Sequence, residues 1–372
     1  MKILYVDLET EWRGGQGQAL LTVQGLLARG HEAELLAAES GALARRAQAC
    51  SVPVHAVSGH RRRWHAAQTL RKLLQKNNVE VIHANEPHAL TAAWLARAHR
   101  RAALAVSRRV AYPLGRGWMS QDRYQAADRI LAISRFVAES VVKSGIPRER
   151  ITLVYEGVEI PAAVTREMRQ AARRTLNIAE DEFLLGCIGY LLPEKGQDHL
   201  VRAMPAILKR SPRCRLLFAG DGPERRHLEA LAAGLGIRDR ILFAGFVEQV
   251  AEIYAALDLF VFPSIAEPLG TSLLKAMAYG LPIAGVASGG VPEYVESGVN
   301  GILAAKPSPE AIAEAILPLL NESAIRDRIG KRARKDMTER FSSDVMVENT
   351  ILAYEDVVRK HHDARKPCGG SS

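Results

Sequence analysis

A strand–loop–helix–strand pattern in the second half of the sequence most limits what this chain can fold into. Leu259–Phe262 is a short apolar run typical of a buried strand, and a polar loop with one carboxylate, Glu267, follows it. Thr271 or Ser272 is placed to cap the next helix, and the apolar residues 282–286 begin another strand. A strand, an acidic loop and a helix N-terminus in this order predict a site for an anionic ligand that carries hydroxyl groups. An ordinary turn with a solvated glutamate is the other interpretation.

Strand-sized apolar runs alternate with helical patterns along most of the chain. The alternation occurs twice, before and after a polar, Arg- and Ala-rich stretch at residues 161–180. It predicts an α/β protein with two doubly wound, parallel, Rossmann-like sheets that face each other across a cleft. The expected strands are 2–8, 32–37, 52–57, 79–84, 103–107, 130–134 and 151–155 in the first half, and 183–188, 215–219, 240–244, 259–262 and 283–286 in the second.

The length of 372 residues also favours two domains rather than one. We expect a first domain at residues 1–160 and a second at residues 161–340. An amphipathic helical pattern follows at residues 341–362, and the tail at residues 363–372 is expected to be disordered.

Composition argues against several classes of protein. No apolar run is long enough to span a bilayer and no secretory signal is visible. Four widely separated cysteines without a CxxC pair suit a reducing cytoplasm and argue against structural zinc. Nucleic-acid binding is disfavoured because no aromatic platform or reading motif accompanies the basic residues. We therefore expect a cytoplasmic protein that does not bind nucleic acid.

The net charge of +9 is unevenly distributed. Residues 1–160 contain 23 Lys and Arg against 14 Asp and Glu, which accounts for the whole excess. Residues 60–78 contain six basic residues and no acid, beside Trp64. Such a segment predicts peripheral binding to an anionic membrane surface, with a solvated basic helix face as the other interpretation. The six residues are Arg61, Arg62, Arg63, Arg71, Lys72 and Lys76.

Polar residues follow the strands of the first half at the edge where open α/β sheets bind ligands. The glycine-rich loop after the first strand contains Gly15 and Gln16, and its backbone can approach a ligand closely. It is not a GxGxxG fingerprint, so it gives little support to dinucleotide binding. Asn85 and His88 follow the fourth strand, and Arg109 follows the fifth.

Four turns in the second half carry a resemblance to a known family. Gly189–Gly196, Gly220–Pro223, Gly245–Val247 and Glu267–Ser272 each follow an expected strand. In order and spacing they resemble the donor site of the retaining glycosyltransferases of family 4, which have the GT-B fold. In such proteins a final helix crosses back to brace the first domain, which is the role expected of residues 341–362.

The donor motifs match the family at some positions and depart from it at others. Lys195 matches the lysine that neutralises the donor diphosphate, whereas Tyr190 replaces an arginine of the same turn. Glu267 matches the first glutamate of a Glu-x7-Glu motif, which touches the transferred sugar. The second glutamate, which holds the nucleotide ribose, is replaced by Lys275. A lysine offers donors only, so the resemblance implies a nucleotide that is held differently, or a weakened enzyme.

The first half also departs from the family pattern. Arg109 stands where many members carry a histidine close to the transferred sugar, and it cannot act as a general base because it stays protonated. We expect an electrostatic role for it, toward substrate or phosphate. The family's Asn-Gly-Val-Asp turn becomes Glu156-Gly157-Val158-Glu159. The resemblance places the glycine-rich loop under the diphosphate.

The resemblance implies a retaining transferase that moves a hexose-type sugar from a nucleotide-diphosphate sugar to a glycan or lipid-linked acceptor of the cell envelope. No Asp-x-Asp triplet occurs, so we expect neither a metal ion nor another cofactor. The candidate catalytic residues are Glu267, Lys195 and Arg109; the donor-binding residues are Gly15, Gly189, Gly222, Phe246, Leu269, Gly270, Thr271, Ser272 and Lys275; the acceptor-side residues are Gln16, Asn85 and His88.

Two other functions remain open. A nucleotide-sugar 2-epimerase would share the two-sheet architecture, but enzymes of that class lack the pattern that this chain has at Glu267–Gly270. A catalytically weakened nucleotide-sugar-binding protein would be consistent with the departures at Tyr190 and Lys275.

Overall fold

The computed structural model describes residues 1–59, 61–115 and 117–363. The chain divides into two compact units. The first is Met1–Gly157 together with the chain from Ser343 onward, and the second is Val158–Ser342. Residues 364–372, which make up nearly all of the tail expected to be disordered, lie outside the described residues.

The first unit is built on a seven-stranded sheet in which all neighbouring strands are parallel. The strands are β1 (Lys2–Asp7), β2 (Glu32–Ala38), β3 (Val54–Val57), β4 (Val81–Ala84), β5 (Ala103–Arg108), β6 (Arg129–Ala132) and β7 (Ile151–Leu153). The helices are α1 (Gly14–Ala28), α2 (Ala42–Ala49), α3 (Arg62–Lys76), α4 (Pro87–Leu95), α5 (Trp118–Gln125) and α6 (Arg135–Lys143). The spatial order is β3-β2-β1-β4-β5-β6-β7, so the direction of winding reverses between β1 and β4.

The first sheet is buried on both faces, as alternate residues of β1 show. Leu4 and Val6 pack with residues of α3, α4 and α5 in one core, whereas Ile3 and Tyr5 pack with residues of α1 and α2 in the other. Because helices cover both faces, the strand is a continuous apolar run in the sequence rather than an alternating one.

The second unit has a six-stranded parallel sheet of the same design. Its strands are β8 (Phe183–Ile188), β9 (Cys214–Ala219), β10 (Ile241–Gly245), β11 (Leu259–Phe262), β12 (Ile283–Val286) and β13 (Ile302–Ala304). Its helices are α7 (Arg166–Thr175), α8 (Gln197–Arg210), α9 (Arg225–Gly234), α10 (Ala251–Ala256), α11 (Thr271–Ala278), α12 (Pro309–Asn321) and α13 (Ser323–Arg340). The order β10-β9-β8-β11-β12-β13 reverses between β8 and β11. The edge strand β13 is not among the expected strands.

The last helix, α14 (Ser343–Asp363), follows the second unit in the sequence but belongs to the first. It packs on α1 and β5. The contact with α1 is close, since a Cβ on Gly25 would lie 2.4 Å from Cγ2 of Val347. Buried His83 on β4 is hydrogen-bonded to the Tyr354 hydroxyl of α14 at 2.5 Å and to Ser107 Oγ at 2.7 Å. None of the described helices combines the length and the apolar content needed to cross a membrane.

Candidate functional site

The loops that follow β8 to β12 lie at the carboxyl edge of the second sheet, beside the point where its winding reverses. Ligands of open α/β sheets bind at such points. Backbone hydrogen bonds join neighbouring loops. They run from Gly189 N to Ala219 O at 3.0 Å, from Gly220 N to Gly245 O at 2.7 Å and from Gly290 N to Glu267 O at 2.8 Å. The predicted donor-side loops of this unit therefore form one connected edge.

Glu267 is a buried carboxylate, with only 6 % of its surface exposed. Its Oε2 accepts hydrogen bonds from Lys195 Nζ at 2.7 Å and from Ser264 Oγ at 3.1 Å. A Cβ on Gly289 would lie 2.0 Å from the Glu267 carbonyl oxygen, so the next loop packs directly against this backbone. The carboxylate is paired and hydrogen-bonded, as a buried charge requires.

Lys195 reaches Glu267 because their two loops pack backbone to backbone. It ends a short 3-10 helix, Pro193–Lys195, and Gly196 follows in the left-handed conformation with φ 66°. A Cβ on Gly196 would lie 2.2 Å from the carbonyl oxygen of Pro263. The Lys195 side chain remains 30 % exposed, so part of it is accessible at the edge. The structure thus brings two of the candidate catalytic residues into contact.

Two glycines of the predicted donor turns are required by backbone packing. A Cβ on Gly220 would lie 2.0 Å from the carbonyl oxygen of Gly189, and one on Gly222 would lie 2.3 Å from that of Leu191. These close approaches explain why glycine occupies positions 220 and 222, independently of any ligand.

Helix α11 begins at Thr271, and its N-cap residue is Gly270 in the left-handed conformation. The prediction that Thr271 or Ser272 caps the helix was wrong. A Cβ at Gly270 would lie 2.8 Å from the Phe262 ring, so the chain needs glycine at this turn. Because the N-cap residue is a glycine, no N-cap side chain bonds the backbone N–H groups of the first turn of α11.

The remaining donor-side candidates differ in exposure. Leu269 is buried, and its carbonyl accepts a hydrogen bond from the Tyr294 hydroxyl, which indicates a packing role for its side chain. Lys275 is exposed on α11, and the described residues provide no ion-pair partner for it. Tyr190 and Phe246, in the loops after β8 and β10, are 58 % and 74 % exposed. The edge therefore presents two aromatic rings and a lysine to solvent.

Asp7, the last residue of β1, is the centre of a buried polar network in the first unit. It accepts hydrogen bonds from Asn85 Nδ2 at 2.6 Å and from Gln16 Nε2 at 3.0 Å. Asn85 in turn accepts one from the Tyr5 hydroxyl at 2.9 Å. Gln16 and Asn85, two of the acceptor-side candidates, thus donate hydrogen bonds from their side-chain amides to Asp7. Asp7 is not among the residues predicted from the sequence, although a carboxylate that ends a buried strand beside the reversal point was a usable signal.

Arg109 is held by the protein itself. Its Nε donates to Glu156 Oε1 at 2.8 Å, and its Nη1 donates to the Asn85 carbonyl oxygen at 2.8 Å. A Cβ on Gly15 would lie 3.4 Å from Arg109 Cδ, so the guanidinium stem passes beside the glycine-rich loop. Burial and this guanidinium hold the pKa of His83 well below its ordinary value. Arg109 and Glu156, two departures from the family pattern, are therefore partners of each other.

Glu86 caps α4 and has an unusual titration. Its carboxylate accepts hydrogen bonds from Leu8 N at 3.1 Å and Ala89 N at 2.7 Å, and another from His88 N. Burial, with a contribution from the nearby Asp7 charge, raises the pKa of Glu86 to about 7. His88 is exposed, and together with Glu9 and Glu86 it brings metal-ligand atoms within 4.8 Å of one another. The Glu86 carboxylate in this group is already occupied by three backbone N–H groups.

The two parallel sheets and their helices are shared with a known class of folds. HepE of Anabaena, crystallised with UDP and glucose, has a TM-score of 0.82 at 22 % identity over 95 % of this chain and 99 % of that one. A glycosyltransferase of Rickettsia africae has a TM-score of 0.83 at 18 % identity over 96 % and 98 %. The fold is GT-B.

Sequence comparison then identifies the family. The family model "Glycosyltransferase Family 4" matches residues 12–160, and "Glycosyl transferases group 1" matches residues 168–336. The D-inositol 3-phosphate glycosyltransferase of Geodermatophilus obscurus is 34 % identical over 321 residues, which are 83 % of this chain and 68 % of that protein. The chain belongs to glycosyltransferase family 4.

Other relatives match over a shorter part of their length. An uncharacterized glycosyltransferase of Methanocaldococcus jannaschii is 32 % identical over 61 % of this chain and 60 % of its own length. The N-acetyl-alpha-D-glucosaminyl L-malate synthase of Bacillus anthracis is 31 % identical over 63 % and 61 %. The similarity thus spans about three fifths of these two proteins.

Proposed function

We propose that this protein is a retaining glycosyltransferase that moves a hexose-type sugar from a nucleotide-diphosphate sugar to a glycan or lipid-linked acceptor. The contact between Lys195 and Glu267 carries the proposal, because it joins a cation suited to a diphosphate with a carboxylate suited to sugar hydroxyls. The names of the relatives support it, and HepE was crystallised with UDP-glucose.

In the proposed reaction the bond from the anomeric carbon to the diphosphate breaks and negative charge develops on the β-phosphate. Lys195 neutralises part of that charge. The amides at the start of α11 add partial positive charge through the helix dipole. Preorganised donors aimed at developing charge are usually the largest catalytic term, so these groups account for most of the expected rate enhancement.

Glu267 orients the transferred sugar. Lys195 and Ser264 both bond its Oε2, and Oε1 is the second acceptor that a sugar hydroxyl would use. The acceptor hydroxyl attacks the face from which the phosphate leaves, and its proton passes to a phosphate oxygen. A new C–O bond then replaces the broken one on the same face, which retains the configuration. This route needs no protein base.

We assign the acceptor to the carboxyl edge of the first sheet. The Asp7 network keeps the glycine-rich loop and the end of β4 together there, with Asn85 Nδ2 also 3.3 Å from the Gly15 carbonyl oxygen. Exposed His88 lies at the same edge, at the start of α4. We place the enzyme in the cytoplasm, at the inner face of a membrane that holds a lipid-linked acceptor of envelope biosynthesis.

We further propose that the transfer needs no metal ion. Lys195 and α11 supply positive charge of the kind that a divalent cation provides in Asp-x-Asp enzymes. The group of Glu9, Glu86 and His88 belongs to the first unit, whereas Lys195 and α11 belong to the second. EDTA treatment tests this part of the proposal.

A nucleotide-sugar-binding protein with weakened catalysis is the second candidate. The specific observation in its favour is the pair of departures at the donor edge, where exposed Tyr190 and Lys275 replace the family's arginine and glutamate. Such a protein would bind a donor without consuming it.

A donor screen by thermal shift, with UDP-, GDP- and ADP-sugars in parallel, begins the test. The stabilising donor is then incubated with glycan and lipid-linked acceptors, and the anomeric configuration of the product is read by NMR. We expect transfer with retention, loss of transfer in Glu267→Gln, and normal transfer in Glu314→Gln, an exposed glutamate of α12. An inverted product would overturn the mechanism, and a melting shift without transfer would support the binding protein.

A further inference from the structure

We propose that the outer surface of α3, α4 and α5 docks this protein on an anionic lipid bilayer. We call this surface the basic face and define it as the exposed residues within 58–127. The inference rests on the proposed function in that it places a lipid-linked acceptor within reach. It goes further by naming the surface that meets the lipid.

The three helices form one layer of the first unit. Helix α3 packs beside α4, and α4 beside α5. Leu70 of α3, Ala92 of α4 and Tyr124 of α5 enter the same core, on the same side of the sheet. Their opposite sides therefore face solvent on one surface.

The charge excess of the chain is concentrated in this layer. Residues 58–127 contain 13 Lys and Arg against 3 Asp and Glu, a difference of +10, compared with +9 for the whole chain. The three acids already have partners. Glu86 caps α4, Asp122 accepts a hydrogen bond from Trp94 Nε1, and Glu80 accepts one from the Lys2 backbone N–H. Among the described residues of this range, eight Lys and Arg and two acids are exposed, whereas Arg108 is buried and Arg109 is paired with Glu156. The exposed residues of the face are therefore strongly cationic.

Several basic side chains of α3 and of its N-cap residue are exposed to solvent. Arg61, Arg63, Lys72 and Lys76 are exposed, and the described part of the chain gives them no hydrogen-bonding or ion-pair partner. The other two basic residues of the segment have structural contacts: Arg62 donates to the Leu8 carbonyl oxygen at 3.2 Å, and Arg71 donates to that of Leu95 at 2.5 Å. Four of the six basic residues selected from the sequence are therefore free to bind an anionic partner.

Aromatic residues accompany the charge. Three of the four tryptophans of the chain, Trp64, Trp94 and Trp118, lie on α3, α4 and α5. Trp64 is 55 % exposed and Trp118 is 71 % exposed, with Met119 beside it also half exposed. The Trp94 and Trp118 rings contact edge to face at a centroid distance of 6.3 Å. Large exposed rings among cationic side chains are typical of surfaces that sit at a membrane–water interface.

Charge decides between a bilayer and a second copy of this chain. A two-fold dimer through the basic face would place like charges opposite one another and would be repelled. An anionic bilayer neutralises the same charges, and tryptophan rings favour the headgroup level. The occupant that fits both features is therefore an anionic lipid surface.

Vesicle sedimentation with the full chain tests the proposal. Vesicles of phosphatidylcholine alone and of phosphatidylcholine mixed with phosphatidylglycerol are compared at low and high salt. We expect binding to the anionic vesicles only, weakened by salt. The triple variant Arg61→Ala, Arg63→Ala, Lys72→Ala should lower the partition coefficient about a hundredfold, because each basic residue near the surface contributes about fivefold. Its matched control, Arg174→Ala, Lys209→Ala, Arg210→Ala, removes three exposed charges from the second unit and should bind like wild type.

The aromatic contribution is tested separately. Trp118→Ala with Met119→Ala should weaken vesicle binding and lower the protection of tryptophan fluorescence from a soluble quencher. Met168→Ala with Leu352→Ala, two apolar residues outside the face that are 50 % and 61 % exposed, should not.

Three results would overturn the proposal: no binding to anionic vesicles at low salt, equal losses in the triple variant and its control, or tighter binding to double-stranded DNA than to vesicles. Transfer to a water-soluble acceptor serves as the independent readout. If vesicle binding fails while this transfer is intact, the basic face is refuted and the proposed function stands. If transfer fails while vesicle binding follows the pattern above, the proposed function is refuted and the face stands.

Discussion

Replacing Lys195 with methionine separates the structural role of the Lys195–Glu267 pair from the catalytic role proposed for Lys195. Methionine keeps an apolar stem of similar length and removes the charge. Lys195 Nζ lies 2.7 Å from Glu267 Oε2, and Glu267 is 6 % exposed, so the variant has a buried carboxylate without its cation. Ser264 Oγ remains as a hydrogen-bond donor to it.

The two effects differ in size. Breaking a fully buried ion pair costs about 3–5 kcal/mol, and because Lys195 is 30 % exposed we expect about 1–2 kcal/mol of lost folding stability here. The catalytic loss should be larger. Removing one preorganised donor from a developing oxyanion costs about 3–4 kcal/mol, which is a fall in kcat of about 10² to 10³. The fall in kcat should therefore be larger than the loss of folded protein can explain.

The assay measures release of the nucleoside diphosphate at limiting and saturating donor, with urea unfolding of the same samples. Lys209→Met, an exposed lysine of α8, is the matched control and should behave like wild type. A Lys195→Met variant with kcat/KM close to that of wild type would refute the reasoning. A loss of rate that only tracks the folded fraction would assign Lys195 a structural role alone.

Four further changes have defined outcomes. EDTA should leave the transfer rate unchanged, because protein cations supply the positive charge, and inhibition reversed by magnesium would contradict this. Lys275→Glu should restore hydrogen bonds to the ribose hydroxyls and yet turn over more slowly, because a second carboxylate repels the charge on the diphosphate; tighter binding of the nucleoside diphosphate in calorimetry together with faster turnover would exclude a catalytic role for Lys275. Arg109→Ala should destabilise the first unit by about 3 kcal/mol, because buried Glu156 loses its cation. Arg109→His with Glu156→Asn should recover most of this loss in urea unfolding, whereas additive losses would mean that the two positions are independent. For Glu86, the raised pKa means that the folded chain retains a proton that the unfolded chain loses between pH 4.5 and about 7. The stability that the protonated Glu86 contributes is full below this window and is lost as the pH rises through it. The Tm of wild type should therefore fall relative to the Tm of Glu86→Gln between pH 5 and pH 8. A Tm difference that stays constant over this range would contradict this.

The polar residues at the carboxyl edge of the second sheet could be predicted because they lie in short local motifs. Lys195 and Glu267 are 72 residues apart in the sequence, but each follows a buried strand by a few residues. The carboxyl ends of parallel strands lie at one edge of a sheet. Two residues that each follow such a strand are therefore expected to lie close together, even when they are far apart in the sequence. The two-sheet GT-B fold followed in the same way from repeated strand and helix patterns, and its prediction is confirmed.

The partnerships of the first unit could not be read from the sequence. Arg109 and Glu156 are 47 residues apart, and each looked like a separate departure from the family pattern. Asp7 ends an apolar run in the sequence, and nothing local to it indicates that Asn85, 78 residues away, donates to it. Side-chain pairing across such separations leaves no periodic signal. For the same reason the close backbone contact that requires glycine at position 222 is visible only in the structure.

The return of α14 to the first unit has a consequence for folding during synthesis. The second unit is a continuous stretch of chain, whereas the first unit needs Ser343–Asp363 to cover the core that contains Ile3 and Tyr5. A ribosome releases the second unit before it releases this helix. The second unit can therefore fold first, while the earlier-made unit waits with an uncovered apolar surface. Chaperones should accordingly bind the first unit, which is synthesised first, more than the second.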